Sequence, residues 1–381
     1  MKMKKLAIGL MSGTSLDGID IILAEISGVS LETKVKVLKE KTYPFKDSVV
    51  QKIKDAMDDQ LSSSKLISSL NVELGYVFGE AILTFYKDEN IDFKDISFIA
   101  SHGQTIYHIP NDEDQLFRSS LQLGEGSIIS ELCKTTVISN FRLADIASGG
   151  QGAPLVPYAD YILFSDLHIS RAIHNIGGIA NMTFIPKLAT LDDVIAFDSG
   201  PGNMMIDKAC QLLYQKRYDD QGDISRSGKI IKEMYDHMMK HPYYKLNYPK
   251  STGREAFGDK YTLDLLNQFY MHEPKDIMHT LSMVVIDSIV DSYKKIIKKP
   301  IDELILCGGG ALNLFIKEEI AKKMKETKVS VLEDYGYSSQ YKEALAFIIL
   351  GNQTLNHLPS NVKSATGAKD YKILGQINYY R

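Results

Sequence analysis

Cysteine is scarce in this chain: Cys133, Cys210 and Cys307 lie far apart, with no Cys-x-x-Cys spacing. That excludes a disulfide framework or a thiolate metal cluster, which need more or closer thiols, and it fits a reducing compartment. Clustered basic charge is also missing. The 44 Lys and Arg residues are spread along the sequence and the net charge is −4, so no cationic stripe exists to track a phosphate backbone. Nucleic acid is thereby excluded as a partner, and a nucleotide is expected only as a small molecule. No apolar run approaches the roughly 18–20 residues of a membrane-spanning helix. Leu6 to Met11 is too short for the apolar segment of a secretory signal and runs straight into Ser12-Gly13-Thr14. A cytoplasmic protein with no membrane partner is expected. The GxxxxGK[ST] loop does not occur, and the glycines at 308–310 do not fit GxGxxG, which argues against P-loop and dinucleotide-binding folds.

What is present is the material of a globular protein. At 381 residues, 44% hydrophobic and 24% charged, the chain is long enough for two domains with separate cores. Leu6 to Met11, Ile19 to Ile26 and Val35 to Tyr43 read as three opening strands. Helical periodicity follows over 47–58 and 64–88, where Leu66, Leu70, Leu74 and Phe78 recur at four-residue steps. Ile96 to Ala100 reads as a buried strand leading into SHGQT, and Asn140 to Pro157, rich in Gly, Ala and Pro, as loop. A second set of three strands is expected at 172–176, 181–185 and 194–197, then helices at 203–214, 225–239 and 276–298. Glu303 to Cys307 reads as a strand entering Gly308-Gly309-Gly310, and the tail after Gly351 as irregular. These elements place an N-terminal lobe at 1–133, with 352–381 packing back on it, and a C-terminal lobe at 134–351.

An internal echo carries the first functional hint. Ser12-Gly13 and Ser199-Gly200 each follow an apolar strand, and each is followed by an Ile-Asp pair, Ile19-Asp20 and Ile206-Asp207. The spacing from 12 to 199 and from 19 to 206 is the same, 187 residues. Small residues at a strand-end turn let backbone N–H groups approach phosphate oxygens. With the strand-to-glycine passage at 303–310, two such halves match an α/β, two-lobed actin/hexokinase-like (duplicated ribonuclease-H-like) fold with a nucleotide cleft between its lobes.

Seven segments sharpen this. They are GLMSGTSLDGID (Gly9 to Asp20), SHGQT (Ser101 to Thr105), FRLADIASGGQGAPLVP (Phe141 to Pro157), NIGGIAN (Asn175 to Asn181), FDSGPGN (Phe197 to Asn203), KSTGREAF (Lys250 to Phe257) and CGGGALN (Cys307 to Asn313). In this order they resemble the anhydro-N-acetylmuramic acid kinases along nearly the whole chain. The resemblance implies ATP-dependent, hydrolytic opening of 1,6-anhydro-N-acetylmuramic acid with phosphorylation of O6, a peptidoglycan-recycling step, carried out by a cytoplasmic homodimer. It also implies Mg²⁺ with the ATP.

Water attack at an anomeric carbon needs a carboxylate base, and Asp198, at a strand end before Ser199-Gly200, is the candidate. The alternative for Asp198 is a loop-capping role. Glu343 resembles the family carboxylate that assists the base, although a Glu beginning a helix also suits the helix dipole. ATP contacts are expected from Gly13, Thr14, Ser15, Leu16, Asp17, Gly18, Ile19 and Asp20, joined by Gly200, Gly202, Gly308 and Gly309. Asp17 and Asp20 are the candidates for Mg²⁺. Gln104, Arg142, Asp145 and Arg254 are polar residues in turn or glycine-rich settings, suited to sugar hydroxyls and a carboxylate. Two rival readings are a same-fold kinase of an ordinary sugar hydroxyl and a non-catalytic actin- or Hsp70-like ATPase module.

Overall fold

The structure, a computed structural model, describes residues 4–380. Its strands, in chain order, are β1 (Lys5–Ser12), β2 (Ile19–Ser27), β3 (Lys34–Tyr43), β4 (Ile96–Ile109), β5 (Ser119–Leu123) and β6 (Val137–Ser139). They continue as β7 (Arg171–Ile176), β8 (Ile179–Ile185), β9 (Ile195–Pro201), β10 (Glu303–Cys307), β11 (Lys328–Val331) and β12 (Gln376–Asn378). Two compact units result, one of Met1–Leu163 with Tyr341–Arg381 and one of Phe164–Gln340.

In the first unit the sheet order is β12-β6-β4-β1-β2-β3, with β5 paired to β4. β1, β2 and β3 are antiparallel neighbours, whereas β4 runs parallel to β1 and β6 parallel to β4. β2 buries Ile19, Ile21 and Leu23 on one face and Ile22, Ala24 and Ile26 on the other, as a central strand must. β3 is an edge and alternates lysine with valine (Lys34-Val35-Lys36-Val37), which blunts sheet-to-sheet association. The helix Ser64–Glu89 packs Leu70, Leu74, Phe78, Ile82 and Phe85 into this core. Its mean hydropathy of 1.3 over an 18-residue window reaches the membrane-spanning range. The packed face is that of an amphipathic core helix.

The second unit repeats the plan with the order β11-β10-β7-β8-β9. β7, β8 and β9 are antiparallel, and β10 is parallel to both β7 and β11. Every residue of β10 is buried, and the helix Pro274–Ser292 contributes Ile277, Met278, Leu281, Val284, Val285 and Ile289 to the core. Strand for strand, β1-β2-β3-β4-β6 corresponds to β7-β8-β9-β10-β11. This is the duplicated ribonuclease-H-like sheet of the actin/hexokinase plan.

Several expectations are corrected. The unit limits differ from 133/134 and 351/352, because β6 hydrogen-bonds to β4 and β12 and so belongs to the first sheet. The helix Lys342–Leu355 also belongs there: Gly9 of β1 lies so close to the Ala344 carbonyl that no Cβ would fit, and Gly351 packs on Phe98 and Ala100. The tail after Gly351 is irregular over most of its length, as expected, but it begins with the last turn of this helix and contains the short helix Lys363–Thr366 and β12. β4 runs through SHGQT to Ile109, and the presumed loop 140–157 contains the short helix Leu143–Ala147. The helix expected over 225–239 is interrupted at Gly228.

The echo is corrected as well. Residues 13–18 join β1 to β2, whereas Ser199-Gly200 lies in β9, the third strand of its unit, which leads into the helix Asn203–Tyr214. By strand order, the counterpart of the first turn is Gly177-Gly178 between β7 and β8.

Candidate active site

Within the second unit, Asp198 is the middle residue of β9, not at the strand end where it was expected, and is strapped by residues 243–252. Its N–H donates to the Lys250 carbonyl (3.2 Å), its carbonyl accepts from the Tyr243 hydroxyl (2.6 Å), and its Oδ2 accepts from the Thr252 N–H (2.9 Å). Burial pushes the Asp198 pKa up to about 6, against the Thr252 hydrogen bond and the positive charge of Lys250, with Glu255 adding to the rise. Lys250 lies 4.3 Å from the centre of the Tyr243 ring, and burial together with the charge of Lys295 holds its pKa down to about 8. The arrangement is a carboxylate poised to accept a proton near neutral pH, its main chain tied on both sides.

The glycine loops of this unit meet each other. Gly202 N–H donates to the Gly178 carbonyl at 3.0 Å and Asn203 N–H to the Gly177 carbonyl at 2.7 Å. A side chain at Gly202 would strike the Gly177 carbonyl, and one at Gly308, where φ is +79°, would strike Asn175 and Ile176. Backbone therefore lines this end of the sheet, with Gly309 next to Asn203. Ser199 turns inward, where its hydroxyl lies 3.1 Å from the Ala180 carbonyl and 3.2 Å from His174 Nε2. Arg254 stands exposed at the start of the short helix Arg254–Phe257.

In the first unit, the turn at 13–18 is closed by Leu16 N–H donating to the Gly13 carbonyl, with Leu16 in the left-handed region. Gln104 braces this turn from β4. It accepts from the Ser12 hydroxyl (2.5 Å) and donates to the carbonyls of Gly13 (3.3 Å) and Thr105 (3.2 Å). Asp145 is fully buried; its carboxylate accepts from the Gly152 N–H (2.9 Å), Asn361 Nδ2 (2.8 Å) and the Thr366 hydroxyl (2.8 Å). Both residues spend their polar atoms on the protein, which corrects the expectation that they face sugar hydroxyls. Polarity in a glycine-rich context does not report burial.

Arg142 presents differently. Its guanidinium donates to His102 Nε2 (2.9 Å from Nη2) and to the Gly152 carbonyl (3.4 Å). Burial lowers its pKa to about 10, partly offset by Glu343. His102 is buried, its Nδ1 lies 2.9 Å from the Gly103 carbonyl, and burial with the Arg142 charge lowers its pKa to about 3. A neutral imidazole that donates through Nδ1 and accepts through Nε2 satisfies both contacts. Burial raises the pKa of Glu343, opposed by Lys342 and Arg142 and reinforced by Asp20. Asp20 is half-buried and accepts from the Thr42 hydroxyl at 2.5 Å, whereas Asp17 is exposed. Among the described residues no group of three or more His, Cys, Asp or Glu side chains is placed to hold a metal ion, and the Glu343 carboxyl feels the cations Arg142 and Lys342 as well as Asp20.

Gly177, Gly178, Tyr243 and Thr252 are missing from the expected site. NIGGIAN carried the signal for the glycine pair, two glycines between two strands; nothing local marked Tyr243, which lies 45 residues from Asp198.

The doubled sheet, the glycine turns and the strapped carboxylate define a phosphate-handling α/β protein of actin/hexokinase architecture. The family model of anhydro-N-acetylmuramic acid kinase matches residues 5–380. The chain belongs to that family. It is 48% identical over 378 residues to the anhydro-N-acetylmuramic acid kinase of Francisella tularensis subsp. novicida, covering 99% of each chain. The kinase of Clostridioides difficile is 48% identical over 373 residues, covering 97% of each. That of Bacillus thuringiensis subsp. konkukian is 46% identical over 376 residues, covering 98% of each.

Proposed function

We propose that this chain is an ATP-dependent sugar kinase that opens 1,6-anhydro-N-acetylmuramic acid with water and phosphorylates O6, giving N-acetylmuramic acid 6-phosphate and ADP. Family membership over residues 5–380 supports the substrate, and the strapped Asp198 is the observation that carries the chemistry. Asp198 takes a proton from water, the oxygen attacks C1, the C1–O6 bond breaks, and O6 receives the γ-phosphoryl group. No separate acid is then required for the leaving oxygen. Tyr243 and Thr252 position Asp198. Glu343, protonated more readily for being buried, is assigned as the second carboxyl, and Arg142, oriented by neutral His102, as the ligand of the substrate carboxylate. Arg254 is retained as a further anion ligand.

Backbone N–H groups of residues 13–20 and the glycines at 177, 178, 200 and 202 are assigned to the ATP phosphates, and Gly308 and Gly309 to the adenosine. Asp20 would hold Mg²⁺ in preference to exposed Asp17. The ion would neutralise charge on the phosphates when bound. We further propose a cytoplasmic homodimer; three buried free cysteines support the compartment, and the family resemblance supports the assembly.

Turnover in ¹⁸O-labelled water tests the reaction. The label is expected at C1 of the product; its absence would leave the ordinary hydroxyl kinase as the better reading. The pH profile follows from Asp198, which must be deprotonated to act. With a pKa of about 6, kcat/KM falls about tenfold per pH unit below that value and levels off above it. The stability sign is opposite. The folded pKa exceeds the unfolded value of about 3.9, so ionised Asp198 destabilises the fold above pH 6, and that cost fades as pH falls from 6 toward 4. A flat rate profile between pH 5 and 7 contradicts the assignment. Tyr243→Phe removes only the hydroxyl that holds the Asp198 carbonyl, so kcat should fall roughly 3- to 10-fold, matching the approximately 1 kcal/mol of one hydrogen bond, with KM for both substrates unchanged.

A further inference from the structure

Lys250 is tied to Asp198 twice over and has so far been given no part in the reaction. Its carbonyl accepts from the Asp198 N–H at 3.2 Å, which fixes the main chain of the strap against β9. Its ammonium lies 4.3 Å from the centre of the Tyr243 ring, and the hydroxyl of that ring donates to the Asp198 carbonyl at 2.6 Å. One aromatic side chain thus holds both a cation and the base. A cation within about 6 Å of a ring centre is attracted by the electron-rich face, so the half-buried ammonium has a defined seat.

Burial disfavours the ionised form of Asp198, and two contacts oppose it. One is the hydrogen bond from the Thr252 N–H; the other is the positive charge of Lys250. The other charged groups facing this pair are Glu255 on the strap, which repels the carboxylate, and Lys295 on the helical turn after Pro274–Ser292, which repels Lys250. Lys295 is itself paired with Asp291 at 3.0 Å. Tyr243 remains a neutral phenol, because burial raises its pKa. Lys250 keeps its charge while Asp198 titrates, since its pKa of about 8 lies above the value of about 6 for Asp198.

We propose that Lys250 is a positioning residue for Asp198: seated on the Tyr243 ring, its ammonium holds positive charge near the carboxylate and keeps it ready to accept a proton. This role rests on Asp198 being the base that activates water.

The test is the pH profile of kcat/KM for the anhydro sugar in the full-length enzyme, with KM for ATP measured in parallel. Lys250→Met keeps an unbranched side chain over the Tyr243 ring and removes the charge. Loss of one nearby opposite charge raises a carboxylate pKa by about one unit, so the acid limb should move up by that amount from about 6. kcat/KM then falls about fivefold at pH 6 but less than twofold at pH 8, the difference that such a shift dictates. Lys250→Arg, which keeps the charge, should retain the wild-type limb. An unmoved limb in Lys250→Met, or an equal loss at pH 6 and pH 8, overturns the proposal. So does a raised KM for ATP at every pH, which would make Lys250 a phosphate ligand. A wild-type enzyme with no limb near pH 6 would remove Asp198 as the base, and this role with it.

Discussion

Replacing Asp198 by Asn is expected to lower kcat by about 10²–10⁴, the usual worth of a positioned general base, while ATP affinity stays within about twofold. The substitution is nearly isosteric. The amide oxygen can still accept from the Thr252 N–H, and the main-chain ties to Lys250 and Tyr243 do not involve the side chain. What disappears is the ability to take a proton from water. Steady-state kinetics with calorimetric titration of a non-hydrolysable ATP analogue separates the two effects. A variant that keeps wild-type turnover shows that Asp198 only anchors its loop. One that loses nucleotide binding as well shows that the residue shapes the glycine loops rather than the chemistry.

The second large effect falls on stability. Asp145→Ala deletes a fully buried carboxylate and strands three donors: the Gly152 N–H, Asn361 and Thr366. Each unmet buried donor costs about 1–3 kcal/mol, so stranding all three costs several kcal/mol. For a unit of this size, 1 kcal/mol shifts Tm by about 2–4 °C, so Tm should drop by roughly 8–15 °C. Scanning calorimetry checks it. Asp145→Asn, which keeps an acceptor, should recover part of the loss. Were Asp145 a sugar ligand instead, Tm would be unchanged and KM for the anhydro sugar would rise.

The contrast between these two aspartates shows what was legible in the sequence. Asp198 was read from its place at a strand end, but β9 runs on through Ser199 and Gly200 to Pro201, which makes Asp198 the middle residue of the strand. Asp145 and Gln104 were read from polarity among glycines, but their partners are distant in sequence; Asn361 and Thr366 lie 216 and 221 residues from Asp145. No local pattern records such pairings. The strands of both meanders were visible because burial imposes runs of Ile, Leu and Val. Their correspondence was not. A Ser-Gly pair is too short to align two halves, whereas β-sheet order, set by long-range pairing, equates β1 with β7 and moves the equivalent turn to Gly177-Gly178. Gly351 misled for the opposite reason. It reads as the start of the irregular tail, yet it lies inside the helix Lys342–Leu355, and its missing side chain is what lets that helix settle on Phe98 and Ala100.

The discontinuous first unit has a consequence for synthesis. Residues 164–340 form an uninterrupted unit, but the first unit draws its last helix and β12 from residues beyond 340. A ribosome therefore delivers everything the second unit needs while the first still lacks the helix that covers β1 and β4. Domains generally fold as units during translation, so the segment made first is completed last. Nascent chains halted near residue 370, with about 30 residues held in the exit tunnel, should resist protease across 164–340 and remain cleavable before 164.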